Sequence, residues 1–248
     1  MQARNIVLCI AYDGSQYLGW QKTKEGPSIE GALQLALETI LQHTISLQAA
    51  SRTDRGVHAT GQVVNFFTPN TINTANLQKR LNQLLPDDIV VRDIYHAADD
   101  FHPTLHATKK EYHYHIASGL LMLPHLRHTH WHVPSVALDT MERACSAFVG
   151  THDFKAFCNH RKDLCYESTI RTLFAVKLEE QPHSTCRITL FGDHFLYKMA
   201  RNIVGTLVDI GKGNITIDEI KSIFASSSRP CAGVTAPAHG LVLHKVFY

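Results

Sequence analysis

An α+β fold of two ferredoxin-like (RRM-like) halves is the architecture this sequence predicts, and three observations lead to it. Segments with apolar residues at every second position alternate with segments at helical spacing, in the order β-α-β-β-α-β over roughly the first ninety residues. The second half runs through a similar succession. No stretch rich in proline, glycine and serine separates the halves, so their antiparallel sheets are expected to form a shared sheet around a central cleft. The division is expected near Ala98–Leu105, giving an N-terminal half over residues 1–100 and a C-terminal half over residues 101–248.

Each element has its own signal. Arg4–Tyr12 is rich in Ile, Val and Leu and reads as a buried strand, ended by the turn chemistry of Asp13-Gly14-Ser15. Pro27-Ser28 opens a helix, with Ser28 as N-cap and Glu30 near the positive end of the dipole. Ile29, Ala32, Leu33, Ala36, Leu37, Ile40 and Leu41 fall on one face of that helix. Ile45–Ala50 and Gln62–Phe67 read as strands joined by the polar loop Ser51–Gly61. Asn76–Leu85 is a helix stopped by Pro86, and Ile89–Tyr95 a strand. The helices are expected to cover one face of the sheet and leave the other free. In the second half, Glu111–Ala117 alternates as a strand, and Leu138–Val149 is a helix ended by Gly150. Ile170–Leu178 and Cys186–Phe191 form a hairpin across Gln181-Pro182-His183-Ser184. Phe195–Ile210 is a strongly patterned helix closed by Gly211-Lys212-Gly213. Ile217–Phe224 is a short helix and Leu241–Phe247 a last strand.

Composition narrows the class without choosing a function. The 248 residues are 44% hydrophobic and 19% charged, which excludes extended disorder. A net charge of +2 neither announces nor excludes a nucleic-acid partner. Seventeen histidines would make the surface strongly basic in mild acid. The six cysteines are scattered without a CxxC, which reads as reduced thiols of a cytoplasmic protein. No leader or bilayer-spanning segment is expected, and so no membrane partner.

The densest polar segment is Ser51-Arg52-Thr53-Asp54-Arg55-Gly56-Val57-His58-Ala59, at the end of a strand. Arg52 and Arg55 flank Asp54, and positive charge on both sides favours an ionised carboxylate. Such a group serves as a nucleophile, a metal ligand or half of a structural ion pair, and the ion pair is the commonest of these.

This segment, followed by Gly61-Gln62-Val63, resembles the active-site signature of the tRNA pseudouridine synthase A (TruA) family. Tyr12-Asp13-Gly14 with Tyr17-Leu18-Gly19-Trp20-Gln21 resembles the family's opening motif. Lys110-Glu111-Tyr112-His113-Tyr114 resembles its tyrosine strand, and Phe195–Gly205 its FL-x-x-M-x-RNIVG helix. Ala236-Pro237-Ala238-His239-Gly240-Leu241 resembles its final block, so the likeness spans nearly the whole chain.

The resemblance implies an isomerase that converts uridine to pseudouridine in the anticodon stem-loop of tRNA, at family positions 38–40. It implies Asp54 as nucleophile, Tyr112 stacked on the flipped uracil, Arg201 paired with the Asp54 carboxylate, and Arg52 filling the gap the base leaves. It further implies no metal, no organic cofactor and a homodimer. A base inside a stem must leave the stack to react, an arginine plane can replace lost stacking, and a tyrosine offers the extruded base an aromatic face. By period two, Lys110, Tyr112 and Tyr114 share a sheet face, which is expected to be exposed, as RNA-binding sheets are. Arg201 falls on a helix apolar almost all round, so it is expected to be buried with a carboxylate; Asp193 and Asp209 are alternatives to Asp54. Asp13 is expected to form the turn after the first strand.

Other features point elsewhere or depart from the family. His128-Thr129-His130-Trp131-His132 would put three imidazoles on one strand face, and Cys158, His160 and Cys165 offer further ligands. The zinc-finger pattern lacks its cysteine pair, so solvated or RNA-facing histidines are favoured over a metal site. Lys79-Arg80, Lys109-Lys110 and Arg161-Lys162 are short basic pairs that would grip phosphates if they line one groove. Pro103-Thr104-Leu105-His106 stands where the family shows A-R-F-S, so a positive charge is missing there. Three rival readings follow. A non-catalytic tRNA-binding or folding module predicts binding without product. A histidine-dependent metal protein predicts stoichiometric zinc. A synthase with a different RNA target predicts pseudouridine elsewhere.

Overall fold

The computed structural model describes residues 3–161 and 166–248. In chain order its elements are β1 (Arg4–Tyr12), α1 (Ile29–Leu41), β2 (Gln48–Ala49), β3 (His58–Thr68), α2 (Thr74–Leu84), β4 (Ile89–His96), β5 (Lys109–Ala117), β6 (Trp131–His132), α3 (Leu138–Cys145), β7 (Gly150–Asp153), β8 (Ile170–Gln181), β9 (Thr185–Gly192), α4 (Met199–Gly211), α5 (Glu219–Ser226) and β10 (Leu241–Phe247). They belong to two compact units. The first comprises the described residues through Thr108 together with Val242–Tyr248; the second is Lys109–Leu241. The class is α+β, with mostly antiparallel strands, and no helix of the described residues is long and apolar enough to cross a membrane.

In the first unit the strands lie in the order β4-β1-β3-β10, with β2 also on β3. β1 pairs antiparallel with both neighbours, while β10 joins β3 in parallel through Val242↔His58 and Leu243↔Ala59. The α1 helix begins as the sequence implies: the Ser28 side chain accepts from Gly31 N–H, and Leu33, Ala36, Leu37 and Leu41 are buried. The second face of the sheet is only partly free: Phe67 and Tyr95 on it are exposed, but part of it is covered. Val7 and Asn5 on that face are buried, and the segment after β4 lies over it. The Asn5 side chain donates to the carbonyls of Ala98 (2.9 Å) and Phe101 (3.0 Å), and the Phe101 ring meets Tyr248 at 4.9 Å.

In the second unit β5, β9, β8 and β7 form an antiparallel run, with β6 parallel beside β5. The alternating Cys186, Ile188 and Leu190 of β9 are fully buried. Every residue of α4 is buried except Arg201 and Asp209. α4 starts at Met199 rather than Phe195, because Lys198 takes a left-handed backbone (φ 61°, ψ 9°) that ends any continuation backwards. A satellite core gathers Phe148, Phe154, Phe157 and Phe224 edge-on or tilted to one another.

Candidate functional site

The Asp54 loop is short and clamped. β3 begins at His58, earlier than its sequence pattern suggests, so only residues 50–57 separate β2 from β3. Gln62 on β3 is fully buried; its Nε2 donates to Ser51 C=O at 2.6 Å, and Ser51 N–H donates to its Oε1 at 3.2 Å. Thr53 C=O accepts from Trp20 N–H at 3.0 Å, and the Thr53 hydroxyl meets that of buried Tyr12 at 2.8 Å. Val57 N–H donates to Asp54 C=O at 3.1 Å and closes the turn. Gly19 (φ +102°) presses on the loop so closely that a Cβ there would lie 2.7 Å from Thr53 O. Tyr12, Gly19, Trp20 and Gln62, scattered in sequence, thus hold the backbone on both sides of Asp54. The Asp54 side chain is half-exposed, and Arg52 and Arg55 are exposed.

Replacing Gln62 by leucine removes both clamp bonds from a buried position. A loss of about 1–3 kcal/mol of stability is expected, read as a lowered urea midpoint. An unchanged midpoint would show that the loop holds without the amide.

Asp13 does form the turn after β1: its Oδ1 accepts from Ser15 N–H at 2.9 Å. It also lies 3.1 Å from His58 Nδ1, and that nitrogen is 3.2 Å from Gly14 N. One nitrogen serves one role at a time, accepting from Gly14 or donating to Asp13 according to the tautomer.

In the second unit, the face shared by Lys110, Tyr112 and Tyr114 is buried, which overturns its expected exposure. Cross-strand pairing explains this: Tyr112 sits opposite Leu190 and Tyr114 opposite Ile188, so both rings join the apolar side of β9. Tyr112 meets the Phe195 ring edge-on at 4.8 Å, and the Tyr114 hydroxyl donates to Pro237 C=O at 2.7 Å. The Tyr112 ring is therefore held from its side by Phe195 and is not an open platform.

Burial brings the Lys110 ammonium down to about 8 from the ordinary 10.5. The folded protein then binds fewer protons than the unfolded chain between these values. Stability contributed at Lys110 is complete above pH 10.5 and lost as pH falls through about 8. Wild-type urea midpoints are expected to rise across this window more than those of Lys110→Met. Parallel profiles for the two proteins would contradict it.

Arg201 is half-buried and its Nε donates to Ala236 C=O at 2.8 Å, while Ala236 N–H donates to Arg201 C=O at 3.1 Å. The alternative partners are engaged elsewhere. Asp193 accepts from Thr172 N–H and His194 N–H, and Asp209 from Val234 N–H and the Asn214 side chain. The loop carrying Ala236 is held by residues the sequence reading missed. Arg229 donates to Asn202 Oδ1 (2.9 Å), Thr235 Oγ1 (2.8 Å), Asn159 Oδ1 (3.2 Å) and Gly233 C=O (2.9 Å). Asn202 in turn donates to Phe157 C=O at 2.7 Å and Asn159 Oδ1 at 2.8 Å. An asparagine inside an otherwise apolar helix was the available signal for this network; nothing local marks Arg229.

The histidine stretch does not form one strand. Only Trp131–His132 pair with β5, so His128 does not share a strand face with His132. His132 Nε2 lies 2.9 Å from Gly119 O, and His130 Nδ1 2.9 Å from Thr129 Oγ1. Crowding by His125 and His239 adds to burial in lowering the His130 imidazole. In the first unit, Pro103–His106 forms a turn: His102 Nδ1 accepts from Thr104 N–H, and the Thr104 hydroxyl donates to Ala49 C=O at 2.7 Å. Lys79 and Arg80 are exposed on α2, and Lys109 stands over Phe174 and Phe191 at 5.0 and 5.6 Å. Lys162 and Cys165 lie outside the described residues.

The chain matches the family model described as tRNA pseudouridine synthase over residues 8–104 and 144–248. It is 52% identical over 249 residues to tRNA pseudouridine synthase A 2 of Protochlamydia amoebophila, covering 99% of this chain and 94% of that one. It is 41% identical to tRNA pseudouridine synthase A of Acetivibrio thermocellus, covering 99% and 100%, and 41% identical to that of Chlamydia muridarum, covering 99% and 92%. Similarity of this extent shows that the chain belongs to the tRNA pseudouridine synthase family.

Proposed function

We propose that this protein is an isomerase converting uridine to pseudouridine in the anticodon stem-loop of tRNA, with Asp54 as nucleophile. The single observation that carries the reading is the Asp54 loop. A half-exposed carboxylate sits on a backbone fixed by Gln62, Trp20 and Tyr12, with exposed arginines on either side. Fixing the backbone that carries the carboxylate before substrate arrives lowers the ordering cost of attack.

In the reaction the bond between ribose C1′ and uracil N1 breaks, and a bond between C1′ and uracil C5 forms. C5 loses a proton and N1 gains one. Atoms and electrons balance within the nucleotide, so the isomerisation requires no oxidant, reductant or group donor. Tyr112 gives the extruded uracil an aromatic face, Arg201 pairs with the Asp54 carboxylate, and Arg52 occupies the space the base vacates. The protein works as a cytoplasmic homodimer on tRNA.

The test is pseudouridine mapping of unmodified tRNA transcripts after incubation with purified protein. New pseudouridine on the 3′ side of the anticodon stem-loop is the expected result. Pseudouridine only elsewhere would overturn the site assignment, and none in any tRNA would overturn the activity.

A further inference from the structure

We infer that Arg161, Tyr197 and Lys198 form a phosphate-binding site for an RNA strand, one turn from Arg201. The inference rests on the reading that this chain acts on tRNA. The Arg161 guanidinium lies 5.7 Å and the Lys198 ammonium 5.0 Å from the centroid of the same Tyr197 ring. One aromatic ring thus gathers two cations, each drawn by the negative charge of its face.

The backbone that carries the ring is held before any ligand arrives. Tyr197 N–H donates to the Tyr166 hydroxyl at 2.8 Å, and Asn159 N–H donates to Tyr197 C=O at 3.2 Å. Asn159 is itself an anchor of the Asn202–Arg229 network, so the support reaches into the core. Lys198 holds a left-handed backbone, φ 61°, which disfavours an L side chain by about 1–2 kcal/mol. Strain of this kind persists where surrounding structure fixes it, and it clusters at functional sites. Among the described residues, no carboxylate lies within ion-pair distance of Lys198. In the resemblance set out above, residues 197 and 198 fill the two open places of the FL-x-x-M motif.

Two cations gathered on one aromatic ring match the chemistry of a phosphodiester backbone. Phosphates supply the anions, and each neutralised phosphate releases counterions, which makes the contact dependent on salt.

The experiment titrates full-length protein with an unmodified tRNA transcript between about 50 and 200 mM salt. Lys198→Asn removes the ammonium while keeping a residue that tolerates the left-handed backbone, so its melting temperature should match or exceed the wild type. Arg161→Gln removes the second charge from an exposed position. Each is expected to weaken binding about three- to tenfold and to flatten the slope of log K against log salt by about 0.7–0.9. Lys221→Gln, exposed on α5, should change neither quantity.

Wild-type affinity and slope in both variants would overturn the site. So would competition by inorganic phosphate well beyond that of chloride at equal ionic strength, since that marks a small-anion pocket. A wild-type protein that binds tRNA, forms no pseudouridine and still shows the flattened slopes would support this site while overturning the proposed activity.

Discussion

Asp54→Asn is expected to reduce pseudouridine formation by on the order of 10⁴-fold or more, equivalent to about 5 kcal/mol of barrier. The argument is local. The loop is held through backbone groups of Ser51, Thr53 and Val57 and through the side chains of Gln62, Tyr12 and Thr53, none of which the substitution removes. Asparagine has nearly the same shape as aspartate, so the loop should keep its position. What changes is chemistry: a neutral amide is a poor nucleophile and carries no charge to oppose the flanking arginines. Affinity for tRNA should stay within about threefold, because phosphate contacts generally supply a large share of nucleic-acid affinity and the substitution adds no negative charge. Release of tritium from uracil C5, under single-turnover conditions with enzyme in excess, reads the chemical step. Residual turnover above a tenth of wild type would remove Asp54 from the reaction. An equal loss of tRNA binding would recast it as a binding residue.

How much could be read beforehand depends on whether a signal is local. The α1 face, its Ser28 cap and the placement of Asp54 after a strand follow from spacing and capping within one segment, and the structure has them. Period two correctly grouped Lys110, Tyr112 and Tyr114, but it says nothing about which side of the sheet is covered. The strand opposite decides that, because Leu190 and Ile188 face Tyr112 and Tyr114 across the ladder. β3 reaches back to His58 because β10 pairs with it there, a contact between segments far apart in sequence. Phe195 and Leu196 extend the apolar rhythm of α4, yet the helix starts only after Lys198. The Tyr166 and Asn159 contacts that hold residue 197 are tertiary. Arg229 is an arginine in a loop until Asn202, Thr235 and Asn159 are seen around it.

Gly205→Ala separates two effects of opposite sign. Helix propensity alone favours alanine over glycine by about 1 kcal/mol, so an isolated α4 would gain stability. The packing predicts the reverse. A Cβ on Gly205 would lie 1.6 Å from the Val234 carbonyl oxygen, 2.7 Å from its carbon and 3.3 Å from Ala236 N. Ordinary contact needs separations of about 3.5 Å, so helix and loop must part by well over an ångström. The loop has little freedom to yield. Gly233 N–H donates to Thr206 Oγ1 and Val234 N–H to Asp209 Oδ2, both at 3.0 Å, and Arg229 ties the same segment to Asn202. The helix has none, since its flanking residues Val204 and Thr206 are fully buried. A net cost of about 3–5 kcal/mol is expected, which lowers the melting temperature by roughly 6–20 °C in a chain of this size. The same displacement moves Ala236, the acceptor for Arg201 Nε. Activity should therefore fall even at temperatures where the variant remains folded, with kcat affected more than KM. Thermal melts beside turnover at low temperature check both parts. A melting temperature equal to or above wild type would mean that propensity outweighs the close approach. A destabilised variant with wild-type kcat when cold would detach the loop from the positioning of Arg201.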